Sequence, residues 1–149
     1  MKIRPAHTVE LLAPARDYDT ARAAVDYGAD ALYMGGPRFG ARYAAGNSID
    51  DLARAVEYAH RYGVRVHCTL NTIIYDEELR VAERTAREVV AAGVDALIIA
   101  DLGVLHLARK LLPDMEIHVS TQASIVSPEA ALAYAALGAK RLVLARELT

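Results

Sequence analysis

The stretch Val64-Arg65-Val66-His67-Cys68-Thr69-Leu70-Asn71 alternates strictly, with Val64, Val66, Cys68 and Leu70 on one parity and Arg65, His67, Thr69 and Asn71 on the other. Successive side chains of a strand point to opposite faces, so this is a strand with one apolar and one polar face. The reading separates two parallel α/β architectures. A doubly wound sheet buries both faces of its central strands under helices and reads as continuous apolar runs. A (β/α) barrel with a wet interior needs an apolar face toward the helices and a polar face inward. Residues 116–122 repeat the pattern, with Ile117 and Val119 against Glu116, His118, Ser120 and Gln122. Ala96-Leu97-Ile98-Ile99-Ala100 is apolar throughout and discriminates nothing. The expectation is a parallel, TIM-barrel-like α/β fold.

Outward from that stretch, strands are expected at 9–15, 31–36, 64–71, 96–101, 116–121 and 141–146, alternating with Ala-rich helical segments. The unit averages about 26 residues, a normal βα spacing. Its junction recurs as Tyr27-Gly28-Ala29-Asp30, Tyr62-Gly63-Val64-Arg65, Ala92-Gly93-Val94-Asp95 and Leu137-Gly138-Ala139-Lys140. A glycine there closes a helix in the left-handed conformation and lets the chain turn straight into a strand. Pro113-Asp114 stops the remaining helix instead. Helix starts are expected at Ser48, Asp76 and Ser127-Pro128-Glu129. Eight such units need roughly 210 residues, whereas this chain has 149. The expectation is one incomplete barrel domain over 1–149, with about six strands and five to six helices. Its outermost strands, 9–15 and 141–146, are open edges, and self-association through them is expected.

Lys plus Arg number 17 and Asp plus Glu 19, a formal charge of −2, so no polybasic footprint for nucleic acid or membrane stands out. Hydrophobic residues reach 54%, enough for a substantial core. The only cysteine, Cys68, excludes an internal disulfide and a four-thiolate metal site made by this chain alone. There is no apolar run long enough to span a membrane and no apolar signal core before Glu10. A cytoplasmic protein is expected.

Working residues of parallel α/β proteins sit at the C-terminal ends of strands. Those positions hold Asn71, Asp101, Gln122, Arg146 and Glu147 here, and these are the binding candidates, expected to converge on one rim. The Gly35-Gly36-Pro37-Arg38-Phe39-Gly40-Ala41-Arg42 segment adds Arg42, whose guanidinium suits phosphate or carboxylate. His67 and His118 share the polar parity and are interior polar candidates; without a third ligand they make no metal site. The lysines, Lys2, Lys110 and Lys140, are poorly placed for a Schiff base. Neither a G-x-S-x-G elbow nor an H-E-x-x-H helix occurs, and Cys68 has the helix-facing parity of an inert core thiol.

Read together, Glu10-Leu11-Leu12-Ala13-Pro14-Ala15, Gly28-Ala29-Asp30-Ala31-Leu32-Tyr33-Met34-Gly35-Gly36 and Phe39-Gly40-Ala41-Arg42 resemble the N-terminal part of the collagenase-like peptidases of family U thirty-two. Thr69-Leu70-Asn71-Thr72, Asp101-Leu102-Gly103, His118-Val119-Ser120-Thr121-Gln122 and Leu144-Ala145-Arg146-Glu147-Leu148 continue the resemblance in order. Arg16 replaces the glycine usual after Ala-Pro-Ala, and Ala123-Ser124 replace the usual Met-Asn. The resemblance implies the N-terminal portion of a longer architecture and a peptidase acting on peptide bonds. It implies as the alternative a non-proteolytic fragment or accessory factor for hydroxylating tRNA bases, ribosomal RNA bases or quinone precursors. The substrate would be peptide or RNA accordingly. The family's cysteine signature lies beyond residue 149, so an iron–sulfur cluster would need residues from there, and no cofactor is expected on this chain.

Overall fold

The structure, a computed structural model, describes residues 9–41 and 46–148. Six strands form one sheet: β1 (Leu12–Pro14), β2 (Ala31–Gly35), β3 (Arg65–Leu70), β4 (Ala96–Ile99), β5 (Glu116–Val119) and β6 (Arg141–Leu142). Every pairing is parallel and the spatial order is the chain order, β1 to β6. A doubly wound sheet reverses its strand order at a switch point. This one never does, and winding in a single sense is the topology of a barrel wall. Five helices make the crossovers: α1 (Tyr18–Asp26), α2 (Ile49–Arg61), α3 (Leu79–Ala91), α4 (Leu102–Leu111) and α5 (Pro128–Ala136). None is long and apolar enough to cross a membrane.

Curvature is visible in the side chains. On the concave face, residues of β3 and β5 meet although β4 lies between them. Arg65 pairs with Glu116 at 2.8 Å, the rings of His67 and His118 sit 4.6 Å apart, and beyond the strand ends the Asn71 amide donates to Ser120 Oγ at 3.0 Å. These rungs pass over β4, whose Ala96 pairs in register with His67 on one side and Glu116 on the other. A flat sheet would hold second-neighbour strands about 9–10 Å apart, too far for such contacts. Farther round, Arg141 of β6 reaches Glu10 before β1, 131 positions away in the chain. The wall is curled and remains open between β6 and β1.

The other face holds the core. Leu32, Met34, Val66, Cys68, Leu70, Leu97, Ile99, Ile117 and Val119 are buried with Leu52, Val56, Ala86, Val89 and Leu105 of the helices. Each of α1 to α4 buries part of one face, but α5 buries none of its residues, and Leu132 and Leu137 on or beside it are exposed. The strand edges share this exposure: Val9 and Leu11 lie open beside β1, and Leu144 beyond β6.

Local signals account for the element ends. Gly28, Gly63, Gly93 and Gly138 all take positive φ, as the repeated junction requires. At the fifth junction, where Pro113-Asp114 stands, Arg109 donates to the carbonyls of Pro113 (3.2 Å) and Met115 instead. Asp30 accepts from Leu11 N at 2.8 Å and Asp95 from Val66 N at 2.7 Å, the same post-glycine carboxylate tying each new strand to the previous one. Ser48 and Ser127 cap α2 and α5 as expected. Asp76 does not cap a helix: it opens a short 3₁₀ turn, Asp76–Glu78, and Glu78 reaches back to Tyr75 N at 3.0 Å. Strands β1 and β6 are shorter than the expected 9–15 and 141–146, because an edge strand has a partner on one side only.

Candidate functional site

A cavity of about 700 Å³ opens on the concave face at the C-terminal ends of the strands. Leu12 and Pro14 come from β1, Tyr33 and Gly35 from β2, Thr69 from β3 and Ile98 from β4. Ser120, Thr121 and Gln122 follow β5, and Val143 and Arg146 follow β6. Tyr33, Gly35, Thr69 and Ile98 share the inward parity of their strands, and Ser120 and Gln122 continue that of β5.

Asn71 organises the upper wall. Its Oδ1 accepts from Ala41 N at 2.9 Å, and its Nδ2 donates to Ser120 Oγ at 3.0 Å. One amide therefore ties the loop after β2 to the end of β5. The loop reaches it through Phe39, in the left-handed region at φ 61°, whose carbonyl accepts from Asn71 N (2.8 Å) and Thr72 N (3.2 Å). Gly36 and Gly40 allow the close approach: a Cβ on Gly36 would stand 3.1 Å from Cys68 Sγ, and one on Gly40 would stand 3.1 Å from Thr69 Oγ1. Asn47 ties the ends of β1 and β2 together, donating to the carbonyls of Arg16 (3.0 Å) and Gly35 (2.9 Å).

Of the residues singled out from sequence, Asn71, Gln122 and Arg146 line the cavity. Asp101 is not among its lining residues. It is the N-cap of α4, accepting from Val104 N at 2.9 Å, because a βα turn ends where the next helix must be capped. Glu147 is exposed and is not among the lining residues either. Arg42 lies outside the described residues. Sequence reasoning missed Arg16, Tyr33 and Thr69, although the strand parity carried the last two.

Beneath the cavity lies a charged floor. Glu116 accepts from Arg65 (2.8 Å) and bonds His118 Nε2 (2.7 Å), and Arg141 bridges to Glu10. Burial alone would raise the Glu116 pKa, but the hydrogen bonds from His118 and Arg65 outweigh it and hold the carboxyl low. Glu10 is lowered by its hydrogen bond from Arg141. His67 is pushed down to about 4, first by burial and then by His118 and Arg65. His118 is lowered by burial despite Glu116. Both imidazoles are therefore neutral at pH 7.

Among the described residues no nucleophile hydrogen-bonded to a base lines the cavity, apart from Thr20 on its capping carboxylate. Ser120 Oγ accepts from the Asn71 amide and from Gln122 N, Thr121 Oγ1 donates to Leu144 O, and Thr20 is engaged with Asp17 in the capping box of α1. Cys68 lies in the core on the opposite face, its thiol pushed up to about 12 by burial. One such thiol does not fit an iron–sulfur cluster. Among the described residues no three His, Cys, Asp or Glu side chains are grouped to hold a metal ion. The cavity lining is mainly apolar, with the exposed side chains of Gln122, Arg16 and Arg146 as its polar reach.

Comparison with known proteins places this geometry in a lineage. The chain is 49% identical over 143 residues to the 23S rRNA 5-hydroxycytidine synthase of Escherichia coli, covering 96% of this chain and 21% of that protein. It is 37% identical over 139 residues to a tRNA hydroxylation protein of Bacillus subtilis, covering 93% and 33%, and 34% identical over 141 residues to a collagenase of Porphyromonas gingivalis, covering 93% and 33%. The chain thus spans a fifth to a third of the length of these relatives. Among solved structures, a U32 peptidase superposes with a TM-score of 0.74 at 18% identity, covering 97% of this chain and 62% of that one, a likeness of fold. The pattern of peptidase family U32 matches residues 16–149, and the chain belongs to that family.

Proposed function

We propose that the chain is the N-terminal, incomplete-barrel portion of a cytoplasmic protein that takes part in hydroxylating a pyrimidine of ribosomal or transfer RNA, and that its cavity receives the base. The observation that carries this reading is the lining of the cavity: the exposed Gln122 amide and the exposed guanidinium groups of Arg16 and Arg146, with the Tyr33 ring, among mainly apolar side chains. Bases are recognised by hydrogen bonds to their edges, and phosphates by cations placed outside them. The relatives named for RNA hydroxylation support the same assignment. In this reading Asn71 is a positioning residue, fixing the loop after β2 against Ser120, while Gln122 and Arg146 meet the RNA.

A peptidase function draws support from the family and from the Porphyromonas relative. Peptide-bond cleavage needs an activated nucleophile or a metal-bound water. Among the described residues no histidine or carboxylate is hydrogen-bonded to a hydroxyl of Ser120, Thr121 or Thr69 at the cavity, and this favours the RNA reading.

Deleting the coding sequence in its host and digesting total RNA to nucleosides for mass spectrometry tests the proposal. The expected result is loss of one pyrimidine nucleoside that carries an extra oxygen, restored by the intact gene. An unchanged nucleoside profile, with gelatin turnover by the purified protein, would return the assignment to peptidase.

A further inference from the structure

Charge is unevenly placed around the cavity. The chain carries 19 Asp plus Glu against 17 Lys plus Arg, yet no carboxylate is among the described residues that line the cavity, whereas Arg16 and Arg146 both are. The carboxylates of the charged floor, Glu10 and Glu116, are already bonded to Arg141, Arg65 and His118. The two arginines flank the open seam of the wall, Arg16 after β1 and Arg146 after β6.

Their states differ. Arg16 is fixed from several directions: its N–H donates to Thr20 Oγ1 at 2.9 Å, its carbonyl accepts from the Asn47 amide at 3.0 Å, and its Nε donates to Asp17 Oδ2 at 2.9 Å. Asp17, held down to about 2 by its hydrogen bonds from Thr20 and Arg16, stays ionised and offsets that charge. Arg146 has no such partner. Its side chain is exposed, and among the described residues its guanidinium makes no ion pair or hydrogen bond. Segments 1–8 and 42–45 and residue 149 bring no Asp or Glu that could pair with it. Its backbone is nonetheless anchored, because the buried Ala145 just before it donates to Ile125 O at 3.0 Å. The neighbouring wall is apolar and aromatic, with Leu12, Ile98, Val143 and the Tyr33 ring. A cavity of about 700 Å³ lies within the size range of small-molecule sites.

We propose that the cavity mouth is an oxyanion site. Arg146 takes a phosphate or carboxylate group, Arg16 on the other side of the seam is the second donor, and the apolar, planar body of the same molecule lies against Tyr33, Ile98 and Val143. A guanidinium presents a planar fork of N–H donors that matches either oxyanion, and an unpaired one beside an apolar wall favours a molecule with one charged and one uncharged end. The inference draws on the cavity lining alone and goes beyond the RNA reading, since a nucleotide and a free aromatic carboxylate both have this chemistry.

Calorimetric titration of the full chain with two matched pairs tests it: cytidine monophosphate against cytidine, and benzoate against benzamide. At low ionic strength the anion is expected to bind about tenfold more tightly than its uncharged counterpart in one pair or in both, and the advantage should shrink as salt is added. Arg146→Gln is expected to remove most of the advantage and Arg146→Lys to retain part of it. Arg16→Gln, whose charge Asp17 already offsets, should remove less. Both side chains are exposed, so these variants should fold, and urea unfolding checks that they do. An advantage confined to the cytidine pair assigns the oxyanion to a nucleotide phosphate, and one confined to the benzoate pair assigns it to a free carboxylate; either supports the site. Equal affinities within both pairs, no binding by any of these molecules, or an advantage that survives Arg146→Gln overturns the proposal. The nucleoside profile of the host decides the RNA reading separately.

Discussion

Acidification should destabilise this fold in a window set by one side chain. His67 is pushed down to about 4 in the folded chain against an ordinary 6.5. In the unfolded chain it binds a proton below its ordinary pKa, whereas in the folded chain it refuses one until the pH is much lower. Between those values the unfolded state holds more protons, so stability falls as pH falls. Each pH unit in the window costs about 1.4 kcal/mol, so descent from neutrality to about pH 5 removes about 2 kcal/mol and the full window about 3 kcal/mol. His118, lowered by burial, adds a loss of the same sign. The other groups at the site are Tyr33, Arg65, Arg141, Glu10 and Glu116. The carboxyls, held low by their hydrogen bonds, lose their contribution only at lower pH. Urea unfolding at several values from about pH 7.5 to about pH 5 measures the effect, and the His67→Phe chain is the control, expected to lose most of the slope. A stability that stays level across this range, or a slope equally steep in His67→Phe, would refute the reasoning.

Three further outcomes follow from the same geometry. Asn71→Ala removes the amide that joins Ala41 to Ser120, so a loss of about 1–2 kcal/mol is expected, and hydrogen exchange at the Ala41 amide should accelerate while the β3 amides stay protected. Cys68 should resist alkylation until the chain unfolds, and Cys68→Ser should cost about 1–3 kcal/mol by burying a hydroxyl among core side chains, with no loss of ligand binding. The open edges at β1 and β6, with exposed Leu11, Leu132, Leu137 and Leu144, should drive association that rises with concentration in sedimentation; a strictly monomeric chain with one steep unfolding transition would count against it.

The strand alternation at 64–71 and 116–122 was enough to name a barrel wall, because side-chain period and face are local properties of an extended backbone. The glycine junctions were legible for the same reason: a helix end in the left-handed conformation is a demand made by a few consecutive residues. Asp101 shows where local reading reaches its limit. A carboxylate at a strand end serves equally as a rim group or as the cap of the following helix, and only the hydrogen bond to Val104 N distinguishes them. Phe39 carries no mark in the sequence of its left-handed turn, which is stabilised by Asn71 and Thr72, more than thirty residues on.

The floor under the cavity depended on tertiary structure altogether. Arg65 and Glu116, His67 and His118, and Arg141 and Glu10 stand 51, 51 and 131 positions apart, and nothing in the chain pairs them in advance. They meet because the sheet curls, bringing second-neighbour strands within reach over the small side chain of Ala96. Sequence by itself determined which faces of the strands are polar. Curvature decided which of those polar groups touch, and left the ring nitrogens of His67 without a hydrogen-bond partner among the described residues.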